Sequence, residues 1–232
     1  LAWGADTVAP GLLAIGGGLS VERLLEAYGQ ACFPWYSAGQ PVMWWSTDPR
    51  LVLPTNAFRF HRSLRKELQQ LLSSHRIEIR VNHDFSRIIQ HCAAATRKDQ
   101  SGTWIVNDMV DAYIQLHQAG FAQSVETWID GRLQGGLYCV SIGHAVFGES
   151  MFTLQPNASK IALAALICIC QQEHINLIDC QQNTRHLTSL GATLMPRRQF
   201  LEHVHQTKNQ PPVHWKFDPI YWKQLIPGHL KS

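Results

Sequence analysis

A chain of 232 residues with 20 Lys and Arg against 17 Asp and Glu carries a net charge of only +3, so bulk charge announces no nucleic-acid binder and any RNA site must come from local clustering. No run of about 18 apolar residues exists, which excludes a membrane-spanning helix; the longest candidate, Ile161 to Cys170, is shorter and lies in a helical pattern. The six cysteines (32, 92, 139, 168, 170 and 180) lack paired C-x-x-C spacing and read as reduced core residues of a cytoplasmic protein, not as a disulfide frame or metal site.

The length suits one domain or two small ones. The chain opens on Leu1, so its natural start is expected upstream, and no signal-peptide pattern is visible. Gly16-Gly17-Gly18 and then Ser20 before V-E-R-L-L-E-A-Y predict a loop and an N-capped helix over 21–28. Residues 33–50 follow, FPWYSAGQPVMWWSTDPR, in which three prolines exclude an ordinary helix or a central strand. An extended, turning segment that displays aromatic faces, with Arg50 beside them, suits unpaired bases at a nucleic-acid end; an aromatic mini-core under a loop is the plainer alternative. Leucines at 64, 68, 71 and 72 predict a helix over 59–72. Its Arg59, Arg62, Arg65 and Lys66 fall three or four apart, a spacing that fits a solvated face or a phosphate-binding one.

Ile77 to Val81 alternates like a strand, and 85–95 and 106–119 read as helices. Then come three strands, 124–129, 133–142 and 145–152, joined by hairpin turns at Asp130-Gly131 and Gly143-His144. A helix from Asn157–Ser159 to about Gln172, a buried strand over 175–180 and an aromatic tail packed on the body complete the chain. Antiparallel strands, a helix and another strand make a mixed α/β sheet layer. A boundary near Arg76 divides a small N-terminal module, 1–75, with the aromatic loop and basic helix, from a larger sheet domain, 76–232.

The order of residues in 33–50 resembles the signature of the bacterial leucyl/phenylalanyl-tRNA–protein transferases. The resemblance continues through G-T-W-I at 102–105, S-V-E-x-W at 124–128, G-G-L-Y at 135–138, G-E-S-M-F at 148–152, N-A-S-K at 157–160, L-I-D-C-Q at 177–181 and H-L-x-S-L-G-A at 186–192. Eight blocks in register make coincidence implausible. The resemblance implies an N-acetyltransferase-like fold for the larger domain. It also implies transfer of Leu or Phe, and Met less readily, from Leu-tRNA or Phe-tRNA to the α-amino group of proteins beginning with Arg or Lys. The product would carry an N-terminal degradation signal. Because the donor ester is already activated, no ATP, metal or other cofactor is expected, and neither a membrane nor DNA is an expected partner.

With that chemistry in view, Asp179, Gln181 and Glu149 are the catalytic candidates. On a strand Asp179 and Gln181 project to one face, so Asp179 can accept from the Gln181 amide and hold its carbonyl toward the incoming amine. The family is commonly interpreted as using this pair as a proton relay; the 2′-hydroxyl of the terminal adenosine is the alternative shuttle. Glu149 is expected either to face the substrate amine or a ribose, or to pair with Lys160 or an Arg. Trp35 and Trp104 are expected to stack on the terminal adenosine, and Leu137, Tyr138, Phe147 and Met151 to line the aminoacyl pocket. Asn157 and Ser159 open a helix whose N-terminus serves as a cap, an ester-oxygen site or both. Gln123 stands where relatives commonly have His, which puts any imidazole role there in doubt. An acyl-CoA-dependent N-acetyltransferase would need a glycine-rich pyrophosphate loop, but residues 151–156 contain no glycine. A non-enzymatic RNA-end-binding module would explain the tryptophans and the basic helix, but not Asp179 and Gln181.

Overall fold

The computed structural model describes residues 7–95 and 105–226. The small N-terminal module holds β1 (Leu12–Ile15), α1 (Val21–Tyr28), β2 (Phe33–Pro34) and β3 (Met43–Trp45). Its strands form a three-stranded sheet in the order β1-β3-β2. The prolines of the aromatic segment therefore leave room for two short strands, and β3, which has none, is the central one. Ser20 caps α1 as expected, its side chain accepting from the Arg23 N–H.

The seven-stranded sheet runs β10-β4-β9-β8-β7-β6-β5. It comprises β4 (Arg50–Pro54), β5 (Ile77–Val81), β6 (Ala122–Ile129), β7 (Arg132–Ile142), β8 (Ala145–Thr153), β9 (Leu177–Gln181) and β10 (Thr193–Met195). All neighbours are antiparallel except β8 and β9, which α5 (Ala158–Gln172) connects. Positive φ at Asp130, Gly131 and Gly143 makes the predicted hairpin turns. The mixed α/β class with a small N-terminal module is the expected one. The expected boundary at 75/76 falls elsewhere in the architecture, since β4 lies in the large sheet and the two sheets part between Trp45 and Arg50.

Both faces of the large sheet are covered. On one, α5 is buried throughout Ile161–Cys170, alongside Leu64, Leu68 and Leu71 of α2 (Arg62–Ser73) and the tail residues Val213, Trp222 and Ile226. On the other lie α1, α3 (Phe85–Ala94), α4 (Asn107–Gln118) and α7 (Arg197–Thr207); α6 (Arg185–Ser189) is a short turn after β9. All six cysteines are free, and four are buried. Among the described residues, no helix is long and apolar enough to cross a membrane.

Two of the motifs that carry the resemblance find their explanation in packing. Glu126 is fully buried, yet it accepts from the His83 and Asp84 N–H groups, the Ser124 hydroxyl and the Trp128 indole. The S-V-E-x-W block is thus a satisfied structural hub that fixes the β5–α3 turn. At Gly135 a Cβ would stand 2.7 Å from the Ala158 Cβ and 2.8 Å from the Ser159 nitrogen. The glycine lets α5 close onto β7, where the Thr127 hydroxyl also donates to the Ala158 carbonyl at 2.9 Å. Gly135→Ala should force α5 off the sheet at a cost of roughly 1–3 kcal/mol. Denaturant unfolding should show this as a lower midpoint with an unchanged slope; a wild-type midpoint would mean that the helix has slack there.

Candidate active site

Strands β8 and β9 pair only at Val146–Ile178 and Phe147–Asp179. Beyond that point β8 stays with β7 and β9 with β4, so the two diverge. The opening holds a cavity of about 490 Å³, a size suited to a small-molecule group. Leu137, Met151, Leu163, Leu166, Ile178 and Leu187 make its walls largely apolar, and Phe33 and Trp35 reach it from the N-terminal module. Tyr138, Glu149, Ser150, Gln181, Thr184 and His186 add polar groups. Burial, and after it the nearby Lys160 charge, lowers the pKa of His186.

Both edges of the opening are irregular. Tyr138 pairs with Ser150 and Cys139 with Gly148, leaving Glu149 as the extra residue of a bulge. Gln181 pairs with Leu51 and Asp179 with Val52, leaving Cys180 unmatched. A bulge re-aims the side chains around it. Gln181 has φ 58°, and the Gln182 N–H donates to the Cys180 carbonyl at 2.7 Å, closing a three-residue turn around it. A non-glycine residue is held there only when its surroundings over-determine it. Here three bonds do so. The Gln181 N–H donates to Asp179 Oδ1 at 2.9 Å, the Thr47 hydroxyl donates to the Gln181 carbonyl at 3.1 Å, and Gln181 Nε2 donates to Glu149 Oε1 at 2.8 Å.

Asp179 therefore holds the backbone of Gln181, whereas its side-chain amide is held by Glu149. This corrects the expected Asp179–amide contact, because the turn at Gln181 swings the side chain across the opening. Asp179 is itself held by Arg50, whose Nε and Nη2 donate to Oδ1 and Oδ2 at 2.8 and 2.6 Å, both side chains being fully buried. The guanidinium lies 4.7 Å from the Phe33 ring and 4.8 Å from the Phe200 ring, and Nη1 donates to the Ala31 carbonyl at 3.2 Å. Arg50 thus stands beside aromatic faces as expected, but the rings enclosing it are core residues and it offers nothing to a base. Neighbouring Asp48 accepts from the Arg197 N–H at 3.1 Å, at the start of α7.

Glu149 meets no cation among the described residues, so the anticipated salt bridge to Lys160 or an Arg is absent. Its Oε1 accepts from Tyr28 at 2.7 Å and from Gln181, and its Oε2 has only a 3.4 Å contact with the Tyr113 hydroxyl. Burial pushes the Glu149 carboxyl up to about 7, against the opposing pull of the Tyr28 and Gln181 hydrogen bonds. A carboxyl so poised can exchange a proton near neutral pH.

Of the residues singled out in the sequence, the structure brings together Asp179, Gln181, Glu149, Trp35, Leu137, Tyr138 and Met151. Phe147 is instead in the core, its ring 4.9 Å from Tyr28 and 6.2 Å from Phe200, because it alternates away from the cavity. Asn157 and Ser159 lie off the cavity wall: Asn157 donates to Glu67 and accepts from Lys160 without capping α5, and Ser159 sits where α5 abuts Gly135. Trp104 lies outside the described residues. Arg62, Arg65 and Lys66 are exposed on α2, but Arg59 precedes that helix, its N–H donating to the Leu190 carbonyl. Gln123 bridges the Gly120 carbonyl and Asn82 and does not line the cavity. Sequence reasoning missed Tyr28, Tyr113 and Thr47, and misread Arg50. Only the D-P-R closing the aromatic run pointed to any of them.

The description "Leucyl/phenylalanyl-tRNA protein transferase" belongs to the family model that matches residues 52–205, and a model of that family's N-terminal domain matches residues 17–48. The chain belongs to this transferase family. It is an aminoacyltransferase. A relative from Polaromonas sp. (strain JS666), named leucyl/phenylalanyl-tRNA–protein transferase, is 54% identical over 225 residues, covering 97% of this chain and 88% of the relative. A relative of the same name from Leptothrix cholodnii is 52% identical over 226 residues, covering 97% and 88%. Among solved structures, the aminoglycoside N-acetyltransferase AAC(6')-Iy superposes with a TM-score of 0.33 at 15% identity, covering 62% of this chain and 95% of that one. A likeness this weak says nothing about activity.

In this transferase, Asp179→Asn should leave the Arg50 guanidinium buried without its counter-charge, at a cost of roughly 3–5 kcal/mol. Thermal unfolding should then fall by roughly 10 °C, together with activity. Replacing both partners by apolar residues, Arg50→Met with Asp179→Leu, should restore much of the stability and none of the transfer. A wild-type melting point for Asp179→Asn would show that Asp179 is needed for chemistry alone.

Proposed function

We propose that the protein transfers Leu or Phe, and Met less readily, from aminoacyl-tRNA in the cytoplasm to the α-amino group of proteins beginning with Arg or Lys, marking them for degradation. What carries the proposal is a bulge-borne carboxyl, Glu149, hydrogen-bonded to Gln181 at the wall of an apolar cavity, in a chain of this family. The unbranched β-carbon and apolar end of the donor side chain enter between Leu137, Met151, Leu163 and Leu166. Trp35 offers a face to the terminal adenosine, and the side-chain carbonyl Oε1 of Gln181, whose Nε2 is held by Glu149, orients the acceptor amine.

The amine nitrogen bonds to the ester carbonyl carbon and the bond from that carbon to the ribose oxygen breaks. Glu149 takes the proton that the amine loses, and a proton returns to the leaving ribose oxygen. Because the base works ionised, the rate should rise with pH through about 7. A second rise follows the acceptor amine, whose ordinary pKa is about 8.

The test is purified protein, radiolabelled Leu-tRNA and reporters beginning with Arg or with Ser. Label should pass to the first only, and Glu149→Gln should lose on the order of 10²-fold in kcat/KM and abolish the lower limb of the pH profile. A Glu149→Gln enzyme that keeps this limb would return the proton to the ribose 2′-hydroxyl; acetyl transfer from acetyl-CoA in place of labelling would overturn the activity itself.

Arg62, Arg65 and Lys66 supply the tRNA phosphate contacts, with Arg59 at their head. Helix α2 is tied through Glu67 to Asn157, and Asn157 to Lys160, so this basic face continues toward the cavity at His186. Neutralising Arg62 and Arg65 should weaken Leu-tRNA and Phe-tRNA binding alike and flatten the plot of log affinity against log salt by roughly 1.5. An unchanged slope would assign the face to solvent.

A further inference from the structure

The N-terminal module does more than border the cavity. Tyr28 closes α1 and Tyr113 lies on α4; both are fully buried, and their hydroxyls meet at 2.5 Å beside Glu149. Each tyrosine has one proton to donate. That of Tyr28 goes to Glu149 Oε1 at 2.7 Å, so the short Tyr–Tyr bond takes the proton of Tyr113, whose contact with Oε2 is long at 3.4 Å. The direction is therefore Tyr113 to Tyr28 to Oε1. Gln181 Nε2 donates to the same oxygen. One carboxylate oxygen receives two strong donors and the other is left basic.

We propose that Tyr28 and Tyr113 are positioning residues for the transfer reaction, a hydrogen-bonded chain that saturates Oε1 of Glu149 and reserves Oε2 for the acceptor's proton. This rests on the role of Glu149 proposed above. Such a chain polarises along its length, and its members sit in an apolar cluster where an unused hydroxyl is costly. A neutral donor can hold an ionised carboxylate without permanently cancelling its charge, as an arginine would. The chain also makes the base depend on the N-terminal module, because the donor that touches Glu149 comes from α1.

The other groups facing Glu149 are Asp179 and Arg50, Gln181, and Cys139 on β7. Tyr36, between β2 and β3, faces Tyr113. Asp179 raises the Glu149 pKa and Arg50 lowers it, and their mutual bidentate bond keeps both in place whichever tyrosine is changed. Burial pushes both tyrosine hydroxyls well above their ordinary range, so they remain donors throughout the working pH.

Tyr28→Phe and Tyr113→Phe in the full chain test the proposal. Loss of the Tyr28 donor destabilises the ionised carboxylate, so the lower limb of kcat/KM against pH should move up by about one unit. Tyr113→Phe, which acts through Tyr28, should move it in the same direction by less. At pH 9 both variants should approach wild-type kcat/KM, and the limb from the acceptor amine should stay where it was. NMR titration of ¹³C-carboxyl-labelled glutamates, with Glu149→Gln to assign the resonance, should show the same shift without relying on turnover. A loss uniform in pH with an unmoved Glu149 titration would reduce the tyrosines to packing and overturn the proposal. An unmoved limb in both tyrosine variants, with Glu149→Gln still abolishing it, would overturn the chain alone; a limb that survives Glu149→Gln would overturn the role of Glu149 itself.

Discussion

The buried ion pair between Arg50 and Asp179 is the constraint on which the site depends. Two charges removed from water repay their desolvation only with near-ideal geometry, and here a bidentate bond, a backbone carbonyl and two aromatic faces supply it. The partners come from four directions: Arg50 from β4, Asp179 from β9, Ala31 and Phe33 from the N-terminal module, and Phe200 from α7. Whatever its net contribution to stability, the pair fixes how these parts meet. With both Asp179 oxygens on the guanidinium, Oδ1 also receives the Gln181 N–H, and so the charge pair sets the turn that throws the Gln181 side chain across the opening.

Around that fixed point the fold spends its irregularities at one place. The two strands pair over only two positions, each carries a bulge, and the residue with the strained φ stands at the tip of one of them. A regular sheet would have zipped β8 to β9 and filled the gap. Separation at Gly148 and Asp179 produces a cavity that reaches apolar residues from both faces of the sheet, Leu163 and Leu166 from one and Phe33 and Trp35 from the other. In the proposed reaction an apolar donor side chain and an acceptor amine can thus meet at one wall without either crossing the core.

Much of this was legible in the sequence, and what was not has identifiable causes. The helices at 21–28, 107–118 and 158–172 and the hairpins of β6 to β8 follow local periodicity and turn chemistry. Strands β1, β4 and β10 and helix α7 went unseen, being short or carrying no strong period. The family resemblance singled out Asp179 and Gln181 and alternation put them on one face, yet neither could show that Gln181 leaves the strand for a turn or that Glu149 is the unmatched residue of a bulge, because a bulge is a property of pairing and not of one strand. Glu126 shows the converse limit. A buried glutamate in a family motif looks like chemistry, but two neighbours on β6 and two backbone N–H groups of the β5–α3 turn satisfy it, so it holds that turn. Phe147 was expected to line the aminoacyl pocket and Ser159 to serve at a helix start, while the structure puts Phe147 in the core and Ser159, on α5, against Gly135 of β7.

Two carboxylates near one cavity end with different properties because they meet different donors. Asp179 meets a guanidinium that donates to both its oxygens. Glu149 meets two phenols and an amide, all neutral, and burial drives its pKa to about 7. Gln181 is the hinge between them, taking its backbone position from the first and giving its side-chain proton to the second. This explains why an amide suits position 181. A carboxylate there would stand 2.8 Å from Glu149, and the two would share a proton, which would remove both the base and the neutral carbonyl that the proposed reaction uses. In the proposed reaction the paired carboxylate does the positioning and the titratable one the proton transfer, with a neutral group coupling them.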